Sequence, residues 1–240
     1  RPWQSSPMSK RFYKNVDAVA EEGGYCIRLD GRPLPSTNRR RLLLPSRALA
    51  EAVAEEWRAQ GDKIDPLSMP LTRLANTGVD RVAPERGRYV EEVVRYLQTD
   101  ALSYWAPDPQ ELVARQQAVW QPLLDWFAQE FGRPLAVTRG IRAVPQDPEL
   151  PALVSARLER RSDFALAGLQ TLTAISGSAV VALALDAGRL SPEEGFRAAH
   201  LDELYQAEVW GTDAEAEKRR RDIADGMAQT VRFLILLEGG

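Results

Sequence analysis

The sequence predicts an α+β protein in which a small antiparallel sheet comes first and a larger helical part follows. Residues 12–45 contain short β-prone runs, separated by turn signals and by links too short for crossover helices. From residue 46 onward, apolar residues recur at the three- and four-residue spacing of amphipathic helices. We therefore expect a small two-layer sheet and helix domain at 1–75 and a helical domain at 76–240.

Composition excludes several classes of function. The 240 residues carry a formal net charge of −3, so no strong positive field would attract nucleic acid or an anionic membrane, and neither partner is expected. There is one cysteine, Cys26, and one histidine, His200, which is too few for a disulfide or for the common zinc sites. We expect no metal and no cofactor.

The N-terminal strands are predicted from alternation and turn chemistry. Residues 25–29 alternate between apolar and polar side chains, the period of a strand with one buried face. Asp30-Gly31 follows directly and is a strong hairpin signal, because tight turns need residues that accept positive φ. Residues 12–13, 16–20 and 42–44 are further short strand predictions.

The central helices are predicted from apolar spacing. The first begins after Ser46, a plausible N-cap, and two more are centred on 89–97 and 112–127. Pro122 lies inside the last of these and should kink it or start a new turn, since proline removes a backbone donor. A loop rich in proline and glycine follows at 132–151.

The stretch from Phe164 to Leu185 carries no charge and has about the length of a membrane-spanning helix. It contains several polar residues, and no aromatic or basic belt brackets it. We interpret it as one central helix buried by its neighbours, with Gly177-Ser178 inside the helix as a point of close packing. No membrane insertion is expected.

Capping patterns predict the last two helices. Residues 191–194, Ser-Pro-Glu-Glu, combine an N-cap, a proline at the first helical position and a capping-box glutamate. We expect that helix to continue through His200 to Leu204 and beyond. A second capping-box pattern at 212–215 starts the final helix, which runs to Leu237.

The chemistry-bearing residues of the C-terminal region allow two interpretations. Glu203, Gln206 and Trp210 share one helix face, and Asp202 precedes them. A solvated charged face with Trp210 covering the helix end is the interpretation that the pattern alone favours. The alternative is a recognition strip, because exposed tryptophan and directed carboxylates often anchor protein partners. His200 is interpreted as structural.

Blocks spread from about Phe12 to Leu237 resemble one family in order and spacing. These blocks are Leu29-Asp30-Gly31-Arg32-Pro33-Leu34, Leu44-Pro45 with Leu49-Ala50, Glu56-Trp57 with Gln60, Met69-Pro70-Leu71-Thr72 with Asp80, Thr99-Asp100 with Tyr104, Gln116 with Trp120, Pro122, Leu123-Leu124 and Trp126, and Asp202-Glu203 with Gln206, Trp210-Gly211 and Asp213. Together they resemble the assembly chaperone family of mitochondria and α-proteobacteria that holds the alpha subunit of the ATP synthase (the ATP-twelve family). One departure is Pro35-Ser36-Thr37, where the family usually has Lys-Thr-Pro.

The resemblance implies a small α+β layer joined to an orthogonal helical bundle, and a task without catalysis. It implies transient binding of the free alpha subunit until the beta subunit displaces the chaperone, in a bacterial cytoplasm or a mitochondrial matrix. The family's important acidic residue falls on Glu203, with Asp202, Gln206 and Trp210 as supporting candidates. We expect a monomer, and we expect Glu203→Lys to weaken capture while leaving the fold intact.

Two rival functions stay open at this point. The first is a small hydrolase-type enzyme that uses Asp202 and Glu203, with Asp100, as acid–base groups. The second is a general adaptor that binds peptides from unrelated proteins. A deep cleft with converging carboxylates would favour the enzyme, whereas an exposed helix face would not.

Overall fold

The structure, a computed structural model, describes residues 9–239. Its strands are β1 (Val16–Glu21), β2 (Gly24–Leu29), β3 (Arg32–Pro33), β4 (Tyr104–Trp105) and β5 (Thr138–Arg139). Its helices are α1 (Arg47–Arg58), α2 (Pro70–Thr77), α3 (Arg86–Arg95), α4 (Gln110–Phe131), α5 (Leu150–Glu159), α6 (Asp163–Ser176), α7 (Ala179–Asp186), α8 (Pro192–Ala199), α9 (Leu201–Trp210) and α10 (Ala214–Leu237). The predicted α+β class is confirmed. Within 9–239, no helix has the length and apolarity needed to cross a bilayer.

The described residues pack into two compact units. The sheet unit consists of 9–84 together with 163–167 and 232–239, and the helical unit consists of 85–162 and 168–231. The helical unit also contains a short parallel ladder between β4 and β5, which the sequence does not predict. The division into a small α+β domain at 1–75 and a helical domain at 76–240 stays a prediction.

The sheet is an antiparallel meander in the order β1-β2-β3. Val16 pairs with Leu29, and the turn after β2 places Asp30 at φ 49° and Gly31 at φ 80°, as the hairpin signal predicts. The Cys26 side chain is buried in β2 and donates to the Glu21 carboxylate. Alternation and turn chemistry therefore predict this part of the fold correctly.

Two of the predicted strands do not form. Residues 42–44 only bridge to the sheet, where Tyr25 and Leu44 exchange backbone hydrogen bonds. Residues 12–13 are irregular because Tyr13 turns inward, where its hydroxyl donates to the carbonyl of Trp57 at 2.6 Å. A single backbone bridge replaces the strand at 42–44, and a side-chain hydrogen bond anchors the segment at 12–13.

Helix α1 packs on the sheet through buried Leu49 and Val53. Its cap, Ser46, accepts from the backbone N–H of Leu49, as predicted, and its hydroxyl also donates to the carbonyl of Leu236 at 2.5 Å. At its other end, the Glu56 carboxylate accepts from backbone N–H groups at the start of α2. Burial raises the pKa of Glu56 against these hydrogen bonds, which lower it.

The loop at 35–37, where the sequence departs from the family pattern, is held by polar contacts. The Ser36 hydroxyl donates to the Asp80 carboxylate at 2.6 Å, and Asp80 also accepts from the backbone N–H of Asn38 at 2.9 Å. Thr37 accepts from the side-chain amide of Asn76. Serine and threonine at these positions thus fix the loop to the segment around Asp80.

Helix α4 runs without interruption through Pro122, so the predicted new turn is wrong, and the predicted kink stays a prediction. Pro122 is exposed, whereas Trp120, Leu123 and Leu124 around it are buried. Because the proline faces solvent, water can satisfy the backbone carbonyl that loses its helical donor. Packing of the buried face then keeps the helix continuous.

The expected single helix at 164–185 is also wrong, because α6 and α7 are separate helices. Gly177 adopts φ 68°, a left-handed conformation that ends α6, and Ser178 caps α7 by accepting from the backbone N–H of Val181. The Ser178 hydroxyl donates to the buried Asp100 carboxylate at 2.6 Å. Gly177-Ser178 is therefore a turn and not a close-packed point within a helix.

The capping box at Ser191 and Glu194 is confirmed, with both of its hydrogen bonds present. The helix it starts ends at Ala199, and a new helix begins at Leu201, so His200 lies at a junction and not inside one helix. The final helix is capped one residue later than predicted. Its N-terminal acceptor is the Asp213 carboxylate, which bonds the backbone N–H of Ala216 at 2.7 Å.

Candidate functional site

Helix α9 carries all four predicted site residues and lies in the helical unit. Its inner face is fixed by buried Leu201 and Tyr205. Its C-terminal end is open to solvent, where Trp210 is 80% exposed and Val209 is 50% exposed. Gly211 ends the helix with φ 81°. A large aromatic side chain and a β-branched apolar one therefore stand next to each other on the surface.

Asp202 is fixed toward α4. Its Oδ1 accepts from Nε2 of Gln116 at 2.7 Å, and Gln116 is fully buried. The other end of that amide, Oε1, accepts from the backbone N–H of Ala106 at 2.9 Å. A buried amide that bridges two groups has few alternative orientations, so the Asp202 carboxylate is held in place.

Glu203 is directed the other way, toward α10. Its carboxylate forms an ion pair with Arg219, lies 3.7 Å from Nη1 of Arg220 and lies 3.6 Å from Nδ1 of His200. Arg220 is itself held by Thr212, whose hydroxyl oxygen accepts from Nη2 at 2.6 Å. The Glu203 side chain is 32% exposed, so a partner can still reach it.

His200 completes this cluster from the junction of α8 and α9. Its ring packs on Phe196 with centroids 4.9 Å apart, and Nε2 is buried without a hydrogen-bond partner among the described residues. Burial lowers the pKa of His200, and the Glu203 carboxylate opposes that effect. The ring is therefore mostly neutral at pH 7, and it contributes packing and one weak polar contact.

A second ion pair borders α9 on the α4 side. Arg115 binds Glu208 with Nη1 to Oε2 at 2.6 Å and also contacts Glu111 at 3.1 Å. The Arg115 guanidinium lies 5.2 Å from the centre of the Tyr205 ring and lowers the pKa of Glu208. Gln206 is exposed on this helix. Polar groups thus surround the apolar end of α9.

The structure does not bring the proposed acid–base groups together. Asp202 and Glu203 bind α4 and α10 respectively, and Asp100 is fully buried. Asp100 accepts from Ser178 and from the backbone N–H groups of Leu102 and Val180. Across 9–239, no three His, Cys, Asp or Glu side chains are arranged to hold a metal ion.

Sequence reasoning missed Val209 and the partners of Glu203. The basic run Lys218-Arg219-Arg220-Arg221 lies in the first turns of α10, and two of its arginines hold Glu203. Partners for Glu203 could have been predicted from this run, because it lies in the first turns of the helix that follows α9 closely. Val209 gave no signal, because an apolar residue beside tryptophan fits a buried helix face equally well.

Comparison with known proteins identifies the family. The model of the family described as ATP12 chaperone protein matches residues 10–128. The crystal structure of Atp12 from Paracoccus denitrificans superposes with a TM-score of 0.90 at 39% identity, covering 95% of this chain and 98% of that one. The chain belongs to the ATP12 chaperone protein family. The helix α9 lies outside the matched range of the family model but within a fold that the Paracoccus structure shares over nearly its whole length.

Further relatives support the membership in the ATP12 family. An aspartate-to-lysine mutant of the Paracoccus protein matches with a TM-score of 0.91 at 39% identity, over 95% of this chain and 98% of that one. The Atu1473 protein of Agrobacterium tumefaciens matches at 39% identity with a TM-score of 0.89, over 98% of this chain and 87% of that one. The mitochondrial protein atp12 of Schizosaccharomyces pombe is 25% identical over 88% of this chain and 77% of its own.

Proposed function

We propose that this chain is an assembly chaperone of the F-type ATP synthase that binds the free alpha subunit. It covers the surface that later faces the beta subunit, and it leaves when beta arrives, acting without catalysis. Membership in the ATP12 chaperone family supports the chaperone role. We place this role in a bacterial cytoplasm or a mitochondrial matrix, and we propose that the chain acts as a monomer.

The observation that carries the proposal is the exposed apolar end of α9. Trp210 has 80% of its surface in water, so the described part of the chain covers only a small share of it. Tryptophan is strongly enriched among residues that dominate protein interfaces, because it buries a large area with few rotatable bonds. An unpaired enzyme subunit exposes apolar surface that aggregates, and such surface is what Trp210 and Val209 can cover.

The carboxylates of Asp202 and Glu203 restrict which partner surfaces can dock at that apolar end and in which orientation. Asp202 is held by buried Gln116, and Glu203 is held by Arg219 and Arg220, so both are oriented before a partner arrives. Oriented charges limit the number of surfaces that can dock, and they cost less conformational entropy than mobile ones. Gln206 is exposed and can donate or accept at the edge of the interface.

Release also follows from the small size of this surface. One helix end with two exposed apolar side chains buries far less than the roughly 1,600 Å² of a standard stable interface. The beta subunit offers alpha a larger permanent interface, which displaces a smaller one by mass action. A chaperone that must leave needs a contact of this limited kind.

The test is co-expression of the chain with its cognate alpha subunit, followed by size-exclusion chromatography with light scattering. We expect a soluble one-to-one complex that dissociates when beta subunit is added. Trp210→Ala should reduce the recovered complex at least tenfold, since it removes a central aromatic anchor. Phe12→Ala is the matched control, because Phe12 is also an exposed aromatic residue, at 70%, but lies in the sheet unit.

Three results would contradict the proposal. If the alpha subunit stays insoluble although the wild-type chain is well folded, the alpha subunit is not the partner of this chain. Equal losses for Trp210→Ala and Phe12→Ala would show that any exposed aromatic residue serves, which is the behaviour of a general peptide adaptor. Capture of unrelated denatured proteins with similar yield would favour that adaptor as well.

A further inference from the structure

The loop between α4 and α5, at 132–149, presents an apolar tip. Ile141 is 99% exposed and Val137 is 45% exposed. Loops usually place polar residues at such points, because an apolar side chain in water contributes nothing to folding. Neither the fold nor the α9 site uses this tip.

The base of the loop is firmly built. The backbone of Thr138 and Arg139 forms β5, which pairs with β4, and the backbone N–H of Gly140 donates to the carbonyl of Trp105 at 2.9 Å, while the Arg139 side chain points to solvent. Gln146 brackets Ala136 from the other side, because its Oε1 accepts from the Ala136 N–H and its Nε2 donates to the Ala136 carbonyl. The tip is therefore held out by an ordered base, which lowers the entropy cost of docking.

The arginine at the base of the loop is paired with carboxylates, whereas the arginines at its tip are not, within the described part of the chain. At the base, Arg133 is paired with Asp147 at 3.2 Å and with Glu149. At the tip, Arg139 and Arg142 are exposed on either side of Ile141, and neither has a carboxylate partner within residues 9–239. A chain with a net charge of −3 thus concentrates two unneutralised cations around one fully exposed isoleucine.

We propose that this tip, defined by Val137, Arg139, Ile141 and Arg142, is a second contact with the alpha subunit. It would insert Ile141 into an apolar recess that is bordered by acidic side chains. The two arginines select an acidic rim because unpaired guanidinium groups bind carboxylates in a planar, two-pronged geometry. The proposal rests on the proposed function, since it names another part of the same chaperone–client interface.

The test measures how fast the chain leaves alpha. The isolated complex, with labelled chain, is mixed with an excess of unlabelled chain, and the loss of label is followed at 50 and 300 mM salt. Ile141→Ser should speed dissociation about tenfold, because it removes an aliphatic side chain that the proposed complex buries. The double variant Arg139→Gln/Arg142→Gln should also speed dissociation and should flatten its dependence on salt.

Matched controls separate the tip from general surface effects. Leu67→Ser removes an exposed apolar side chain from the sheet unit, and Arg189→Gln removes an exposed arginine from the helical unit. Both should dissociate within about twofold of the wild type, the spread expected for positions outside an interface.

The outcomes distinguish this inference from the proposed function. If wild-type chain forms no complex with alpha, the proposed function fails and the assignment of the tip fails with it. If the complex forms but all tip variants dissociate like the wild type, only the inference is overturned. Binding of the wild type to phosphatidylserine vesicles that the tip variants lose, with unchanged release from alpha, would also overturn it in favour of a membrane contact.

Discussion

Asp100 and Glu203 are both carboxylates in the helical unit, and their surroundings are opposite. Asp100 is fully buried and accepts from the Ser178 hydroxyl and from backbone N–H groups at the starts of two helical segments. Glu203 is 32% exposed and is held by the side chains of Arg219 and Arg220. Asp100 is fixed by backbone donors and one short side chain, and Glu203 by long side chains that can rearrange.

This difference in surroundings indicates which role each carboxylate can have. A buried acceptor surrounded by backbone donors cannot be changed without leaving those donors unsatisfied. Asp100 therefore stabilises the fold. A surface carboxylate in an arginine pair adds little to stability, and it can exchange partners when another protein arrives. Mutations at these two sites should therefore separate folding from recognition.

The largest effect is expected from Asp100→Ala. The substitution leaves the Ser178 hydroxyl and the N–H groups of Leu102 and Val180 without their acceptor and opens a small cavity. We expect a loss of about 4 kcal/mol in the free energy of unfolding at pH 5, measured by urea denaturation. Asp225→Ala, at an exposed position of α10, should change it by less than about 0.5 kcal/mol. Similar losses for the two variants would contradict the structural role of Asp100.

A somewhat smaller effect is expected from pH. Burial raises the pKa of Asp100 to about 6, above its usual 3.8. Between these values the folded protein keeps a proton that the unfolded chain has released, so this contribution to stability falls as pH rises from 4 to 6 and is constant above. The stability difference between wild type and Asp100→Asn should shrink by about 2 kcal/mol over that range. A flat difference from pH 4 to pH 7 would contradict the raised pKa.

The smallest effect on stability is expected at Glu203. Glu203→Gln keeps the size of the side chain and removes its charge, so the exposed pair with Arg219 should cost at most about 1 kcal/mol. Glu203→Lys should cost slightly more, because it places a third cation beside Arg219 and Arg220, but the fold should persist. Both should weaken capture of the alpha subunit in the co-expression assay.

A charge swap sharpens this prediction. The double variant Glu203→Arg/Arg219→Glu restores an ion pair between α9 and α10 while it moves the carboxylate to the other helix. If Glu203 acts only by joining the two helices, the swap should recover capture. If the partner binds the carboxylate at position 203, the double variant should recover its free energy of unfolding while capture stays low. This is the result we expect.

Local chemistry was readable from the sequence, but interruptions of apolar stretches were not. The Asp30-Gly31 turn and the capping box at 191–194 depend on residues close in sequence, and both are present. The break at Gly177 was missed because apolar residues continue on both sides of it, so no change of periodicity marks the end of α6. Pro122 was judged by its intrinsic preference, which the buried face of α4 overrides.

The family could be inferred from the sequence, whereas the site's geometry could not. The order of short motifs identified the chaperone family, and the fold comparison agrees. The contacts of Glu203 with Arg219 depend on how α9 and α10 meet, and the hold of Gln116 on Asp202 depends on α4. Such pairings follow from tertiary packing, which the spacing of residues along the chain does not predict. The roles of Asp202, Glu203, Gln206 and Trp210 in binding stay predictions.

The discontinuous build of the sheet unit has a consequence for the order of events on the ribosome. The Ser46 hydroxyl bonds the carbonyl of Leu236, a residue 190 positions later, and Phe233 and Leu234 are buried in the same unit. At about 5–20 residues per second, translation separates these partners by roughly 10–40 s. Residues 9–84 of the sheet unit must therefore wait for residues 232–239, which are made later, before that unit can be completed.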